Sequence, residues 1–147
     1  MKSIFQEETR RELRERLARL DPLTPAQWGR MTAAKMVCHL TDSARMASGE
    51  LAVAGRWMPI RYPPLKQLII YWIPMAKGLP TAPELTARVP ESWETDKQAL
   101  HAAIERVAAR PSDGAWPEHP VFGPMTGRLW GALVYRHSDH HLRQFGV

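Results

Sequence analysis

Tyr135-Arg136-His137-Ser138-Asp139-His140-His141-Leu142-Arg143-Gln144-Phe145 is the stretch whose reading decides the fold, and it holds three of the chain's six histidines. Residues four apart share one face of a helix, with Cβ atoms roughly 5–6 Å apart. A helical reading therefore aims His137 and His141 at one point, where a divalent metal could accept both, and turns His140 about 60° off that line. Leu129 and Leu133 continue the same line upstream, and Thr126 is placed to cap it, so the spacing predicts a helix from Thr126 to about Phe145. That helix needs a partner to complete a site.

Three further long helices are predicted. Phe5, Thr9, Leu13, Leu17 and Leu20 make one stripe over residues 3–20, ended by Asp21-Pro22. Thr24 before Pro25 predicts a short helical turn through Trp28. Met36, His39, Leu40, Ser43, Met46 and Ala47 mark a second helix over roughly 32–49, closed by Gly49. Trp93, Leu100, Ile104 and Val107 mark a third, from residues 90–92 to before Pro111. Between Leu51 and Pro90, seven prolines and repeated turn signals make a long crossover. Inside it, Leu65 to Trp72 forms a short extra helix, either an exposed lid or a buried core element.

Four long amphipathic stripes are hidden most economically in an all-α four-helix bundle. Among the remaining histidines, only His39 lies at a stripe position facing the last helix. His39 sits about 10 Å from the start of its helix, and His137 and His141 sit roughly 6–12 Å from the end of theirs, at about 1.5 Å per residue. They share a level only if the two helices are antiparallel. A long crossover between the second and third helices produces that arrangement, an up-down-down-up bundle. The candidate ligands are then His39, His137 and His141. The competing reading makes His39 a hydrogen-bonded core residue and the C-terminal cluster a solvated helix end favoured by the helix dipole.

Three neutral imidazoles without a fourth protein ligand leave a position open, as catalytic rather than structural sites do. Ser138 stands where a zinc protease would carry glutamate, so the peptidase motif is absent. The topology makes Trp28, Met31 and Trp93 candidate pocket walls, and His140 an outer contact of the ligand set. His101 lies beside its stripe as a surface histidine. His119 lies in a stiff proline- and glycine-bearing loop over residues 111–125, with a packing or hydrogen-bonding role.

The chain's 147 residues suit one domain, 1–147. No apolar run reaches the roughly 18 residues of a membrane span, and the N-terminus lacks a secretory core, so the expected location is the cytoplasm. The lone cysteine, Cys38, fits a reducing compartment and a buried small residue. The net charge of +5 raises nucleic acid as a partner. However, Glu7 with Arg11, Glu12 with Arg16 and Glu15 with Arg19 lie four apart, which reads as a solvated, self-paired face rather than a phosphate track.

Three motifs carry a resemblance. Trp28-Gly29-Arg30-Met31-Thr32-Ala33-Ala34 leads to Cys38-His39-Leu40, His119-Pro120-Val121-Phe122-Gly123-Pro124 follows, and His137 to Gly146 reads HSDHHLRQFG. In these the chain resembles the DinB-like superfamily of four-helix-bundle metalloproteins. The resemblance implies an up-down-down-up bundle, frequent homodimers, and a nickel or zinc ion on His39, His137 and His141. It further implies a metal-dependent transferase using a low-molecular-weight thiol, or a hydrolase, acting on a small molecule. The alternative is a non-catalytic metal-binding or stress-related binding protein.

Overall fold

Three hydroxyl caps set where three of the four long helices begin. Thr32, Ser92 and Thr126 adopt extended backbone, and each side chain accepts from the amide three residues on, that of Lys35, Thr95 and Leu129 respectively. The computed structural model describes residues 1–147 and contains five helices, α1 (Glu7–Ala18), α2 (Ala33–Ser48), α3 (Leu65–Tyr71), α4 (Trp93–Ala108) and α5 (Gly127–Gln144). A single isolated antiparallel bridge, His119 with Gly123, is the whole of the β structure. No helix is long and apolar enough to cross a membrane.

Hydrogen bonds between helices fix their directions. Ile4 N–H donates to Gly131 O, and Arg16 pairs with Asp139, so α1 and α5 run parallel. Arg110 reaches Ser48 O at the C-terminal end of α2, while Lys35 near its start reaches Arg88 O just before α4, so α2 and α4 are parallel. Gln27 N–H donates to Gln144 O, which puts the end of α5 beside the segment entering α2 and makes these two antiparallel. The result is the up-down-down-up order, with the crossover spanning one end to the other between α2 and α4 and carrying α3.

One cluster of 24 buried apolar residues forms the core, drawn from all five helices and the segments flanking them. α2 is its centre, buried along most of its length from Ala33 to Ala47. Leu100, Ile104 and Val107 of α4, and Leu129, Trp130 and Leu142 of α5, close around it. α3 is neither simple lid nor simple core. It buries Ile70 and Lys66, whose ammonium donates to Pro124 O, and leaves Leu65, Leu68 and Trp72 exposed. Arg136 of α5 donates to the carbonyls of Ile69, Ile70 and Ile73, capping the end of α3 and pinning it to α5.

Three expectations change. α1 starts at Glu7 rather than residue 3, and Ile4, not Phe5, is the fully buried residue of the leading segment. Residues 25–28 form no helical turn, the chain there being irregular at 25–26 and bent from 27 to 30. There Gln27 N–H is committed to Gln144 O, and the Thr24 hydroxyl accepts from Asp21 N–H rather than from a following helix. The basic face of α1 is not merely self-paired. Arg10 and Arg14 reach Glu105 of α4, Arg16 is 9% exposed against Asp139, and on α1 itself only Arg11–Glu15 and Arg16–Glu12 come within ion-pair reach.

Candidate metal centre

α2 and α5 bring three imidazoles to one point inside the bundle. His39 Nε2 lies 3.0 Å from His137 Nε2, and His141 Nε2 lies 3.1 Å from the same atom. All three potential ligand atoms lie within 4.8 Å of one another. His39 and His141 are buried, and His137 between them is half-buried as a residue with its imidazole enclosed. The antiparallel order of α2 and α5 is what puts residues 98 apart in sequence at one level.

Outer contacts select the tautomers. His39 Nδ1–H donates to Leu85 O at 3.0 Å, and His141 Nδ1–H donates to Gln144 Oε1 at 2.8 Å. Each bond places the proton on Nδ1 and turns an Nε2 lone pair toward the centre. Gln144 is itself fixed, since its Nε2 donates to Trp28 O at 2.7 Å. Gly29 permits this approach: at φ +79° a side chain is strained, and a Cβ there would lie 2.9 Å from Gln144 Nε2. The WGRMT and HLRQFG segments are thus two halves of one support.

Burial disfavours charge on all three rings. His137 is held well below its ordinary value, first by burial and then by the neighbouring histidines. His141 is pushed down to about 4 by burial and by His39, against the raising effect of Gln144. His39 is lowered by burial despite its bond to Leu85. At neutral pH all three are uncharged, the protonation state a metal requires.

By its chemistry and by two of its three separations the donor set fits a first-row divalent ion, with the third pair, His39 and His141, within 4.8 Å. Metal–nitrogen bonds of roughly 2.0–2.1 Å place neighbouring nitrogens roughly 2.9–3.4 Å apart, a range that includes both short separations here. Borderline-soft imidazoles without carboxylate or thiolate suit zinc or nickel better than magnesium or calcium. The same distances also fit a neutral His137 whose Nε2–H is shared between the other two lone pairs, and a metal assay separates the two states.

The remaining candidates fall into different places. His140 points away from the convergence; its ring meets His141 at 5.2 Å and the Trp28 indole at 5.7 Å between centroids. Lys77 of the crossover lies over that indole, 4.1 Å from its centroid. Met31 and Trp93 pack against the core, and no hydrogen bond or ring contact joins either to a triad histidine. Cys38 is buried, with its thiol raised by burial, and lies outside the ligand group. His119 accepts from the amides of Val121 and Phe122 and stacks near Trp130, the packing role expected of it. His101 is half-buried beside Arg14 and Lys97. Leu85 and Gln144 were not among the candidates. Gln144, three residues after His141 on the same helix, carries a readable signal, whereas a backbone carbonyl in the crossover carries none.

Fold and site together define an all-α bundle whose second and last long helices share an inward-facing histidine triad. A family model for the DinB superfamily matches residues 7–145, and the chain belongs to that superfamily. No curated protein and no solved structure matches it at a significant level.

Proposed function

We propose that His39, His137 and His141 hold one divalent ion, nickel or zinc, in a cytoplasmic protein that acts on a small molecule, with a metal-dependent thiol transferase as the leading reading and a hydrolase next. One observation carries the metal-binding reading: two independent outer hydrogen bonds, to Leu85 O and Gln144 Oε1, set His39 and His141 in the tautomer that points Nε2 inward. Inward Nε2 lone pairs on both rings are what a metal requires of its imidazole ligands, and outer hydrogen bonds of this kind are how ligating histidines are held.

Such an ion supplies Lewis acidity, which at neutral pH favours the deprotonated form of a water or thiol nucleophile. The chain's own residues supply the rest. His39 and His141 are anchored by their outer hydrogen bonds, and His137 completes the set between them. No carboxylate belongs to the ligand group, so the donor set is neutral and leaves the full charge of a divalent ion for an anionic nucleophile. Membership of the superfamily supports a metalloprotein. The homodimer implied by the resemblance belongs to the same proposal.

Metal analysis of protein purified without a histidine tag tests the reading. Expected is one equivalent of zinc or nickel after reconstitution, lost in His39→Ala and His137→Ala. No stoichiometric uptake by the unaltered protein defeats it. Where metal is bound, a thiol-conjugation rate and a hydrolysis rate, each lost with the metal, distinguish transferase, hydrolase and non-catalytic binder.

A further inference from the structure

The return leg of the crossover is clasped to α2 around His39. Lys35, His39 and Asp42 stand at i, i+4 and i+7, on one face of the helix. Each meets the segment from Leu85 to Arg88. Lys35 Nζ donates to Arg88 O at 2.8 Å, His39 Nδ1 donates to Leu85 O at 3.0 Å, and Asp42 Oδ1 accepts from Arg88 Nε at 3.0 Å and Nη2 at 2.7 Å. Asp42 is 4% exposed, and Arg45 gives the same oxygen a third donor at 3.1 Å. A buried carboxylate with that many charged donors is the strongest tie between crossover and helix.

The carbonyl that orients His39 belongs to a short 3₁₀ turn, Pro83–Leu85, whose backbone bonds are local, from Leu85 N–H to Ala82 O and from Thr86 N–H to Pro83 O, and whose Glu84 side chain accepts from Ala54 N–H across the crossover. The buried Leu85 side chain seats this turn on the core, and the ion pair one turn along α2 ties down the chain that leaves it. We infer that Asp42 and Arg88 are positioning residues for the histidine centre, and that docking of residues 83–88 on α2 and metal binding at His39 are thermodynamically coupled. The inference rests on the triad being a metal site. When the segment is docked, His39 presents its Nε2 lone pair to the centre; when it lifts, the ring loses the acceptor that fixes tautomer and rotation. Coupling is reciprocal, so an ion that favours the docked state also holds the segment down.

The test uses the full chain with zinc ion as probe. Zinc affinity is measured by competition with a chromophoric chelator in the unaltered protein, Arg88→Ala, Asp42→Asn and the control Arg106→Ala, which removes an exposed pair with Glu50 on the neighbouring helix face. Expected is a 10- to 100-fold loss of affinity in the first two variants, on the order found for outer contacts of metal ligands, with helical circular dichroism retained and the control unchanged. Amide exchange at Leu85 and Thr86 slows by a comparable factor when zinc is added to the unaltered protein and not when it is added to Arg88→Ala. Equal zinc affinity in Arg88→Ala and the unaltered protein, or zinc-independent exchange at these amides, overturns the coupling while leaving the triad intact. An unaltered chain that takes up no zinc or nickel defeats the triad reading, and the coupling with it.

Discussion

Gln144 Oε1 accepts from His141 Nδ1 at 2.8 Å while Gln144 Nε2 donates to Trp28 O at 2.7 Å, so one amide orients a triad imidazole and ties the end of α5 to the segment entering α2. The two halves of that amide have separable duties. Gln144→Ala removes both and is expected to weaken zinc binding by roughly 10- to 100-fold. Gln144→Glu keeps an acceptor for His141 but sets a carboxylate against the Trp28 carbonyl, so it should retain affinity and lower the melting temperature. Chelator competition and thermal unfolding of both variants check this, and equal affinity in all three proteins would remove Gln144 from the site.

His119 gives the metal-free fold a pH dependence. Its Nδ1 is occupied as an acceptor, and burial pushes its pKa down to about 4. Folded, it stays neutral to about pH 4; unfolded, it takes a proton near its ordinary value of about 6.5. The unfolded chain therefore binds more protons between those values. The stability is fully present above about pH 6.5 and is lost as pH falls toward about 4. His141, also pushed down to about 4, acts in the same direction. Urea midpoints of metal-free protein should fall across this window. His119→Asn, whose Oδ1 can serve the same two amides, should flatten part of the slope; an unchanged slope assigns the effect elsewhere.

Gly131 reverses the usual rule for a helix interior. Replacing an internal helical glycine with alanine ordinarily stabilises by about 0.5–1 kcal/mol. Here a Cβ would lie 2.5 Å from Ser3 Oγ and 2.6 Å from the Phe5 ring, where the leading segment crosses α5 to bond Gly131 O. Gly131→Ala is expected to destabilise by about 1–3 kcal/mol, the range for overpacking. Denaturant unfolding of this variant reads the sign directly, and a stabilised protein would show that residues 3–5 are only loosely docked.

Arg16 and Arg11 look alike in sequence and should behave differently. Arg16 contacts Asp139 at 2.7 Å with 10% of its side chain exposed, whereas Arg11 faces Glu15 at 3.9 Å with 61% exposed. Arg16→Met should cost about 1–3 kcal/mol, the scale for hydrogen bonds to a largely buried charged group, and Arg11→Met no more than about 0.5 kcal/mol. Equal losses would contradict the burial difference.

The helices were legible where a local signal and a tertiary one agree. Thr32, Ser92 and Thr126 cap by their own hydroxyls, and Gly49 closes α2 in the left-handed region at φ 85°, so these ends follow from neighbouring residues alone. Residues 25–28 mislead because Thr24-Pro25 resembles a helix start, while Gln27 N–H is taken by a carbonyl more than a hundred residues away. Arg16 misleads similarly: Glu12 is its visible partner, but the pairing with Asp139 exists only because α1 and α5 run parallel. For the triad, spacing gave His137 and His141 a common face, and loop length gave His39 its level. Leu85 stayed hidden because a main-chain acceptor leaves no mark in composition, and only the folded crossover brings it to His39.

The parallel pairing of the first and last helices also bears on folding speed. Ile4 to Gly131 and Arg16 to Asp139 join residues more than 120 apart, so the contacts that seat α1 are among the most distant the chain can make. Helical bundles usually fold fast because their contacts are local. Here α2 and α4 must be bridged by the crossover, and α1 waits for α5, so loop-closure entropy is spent before the helices that close the bundle gain their burial. This chain should fold more slowly than an up-down-up-down bundle of equal length and helix content.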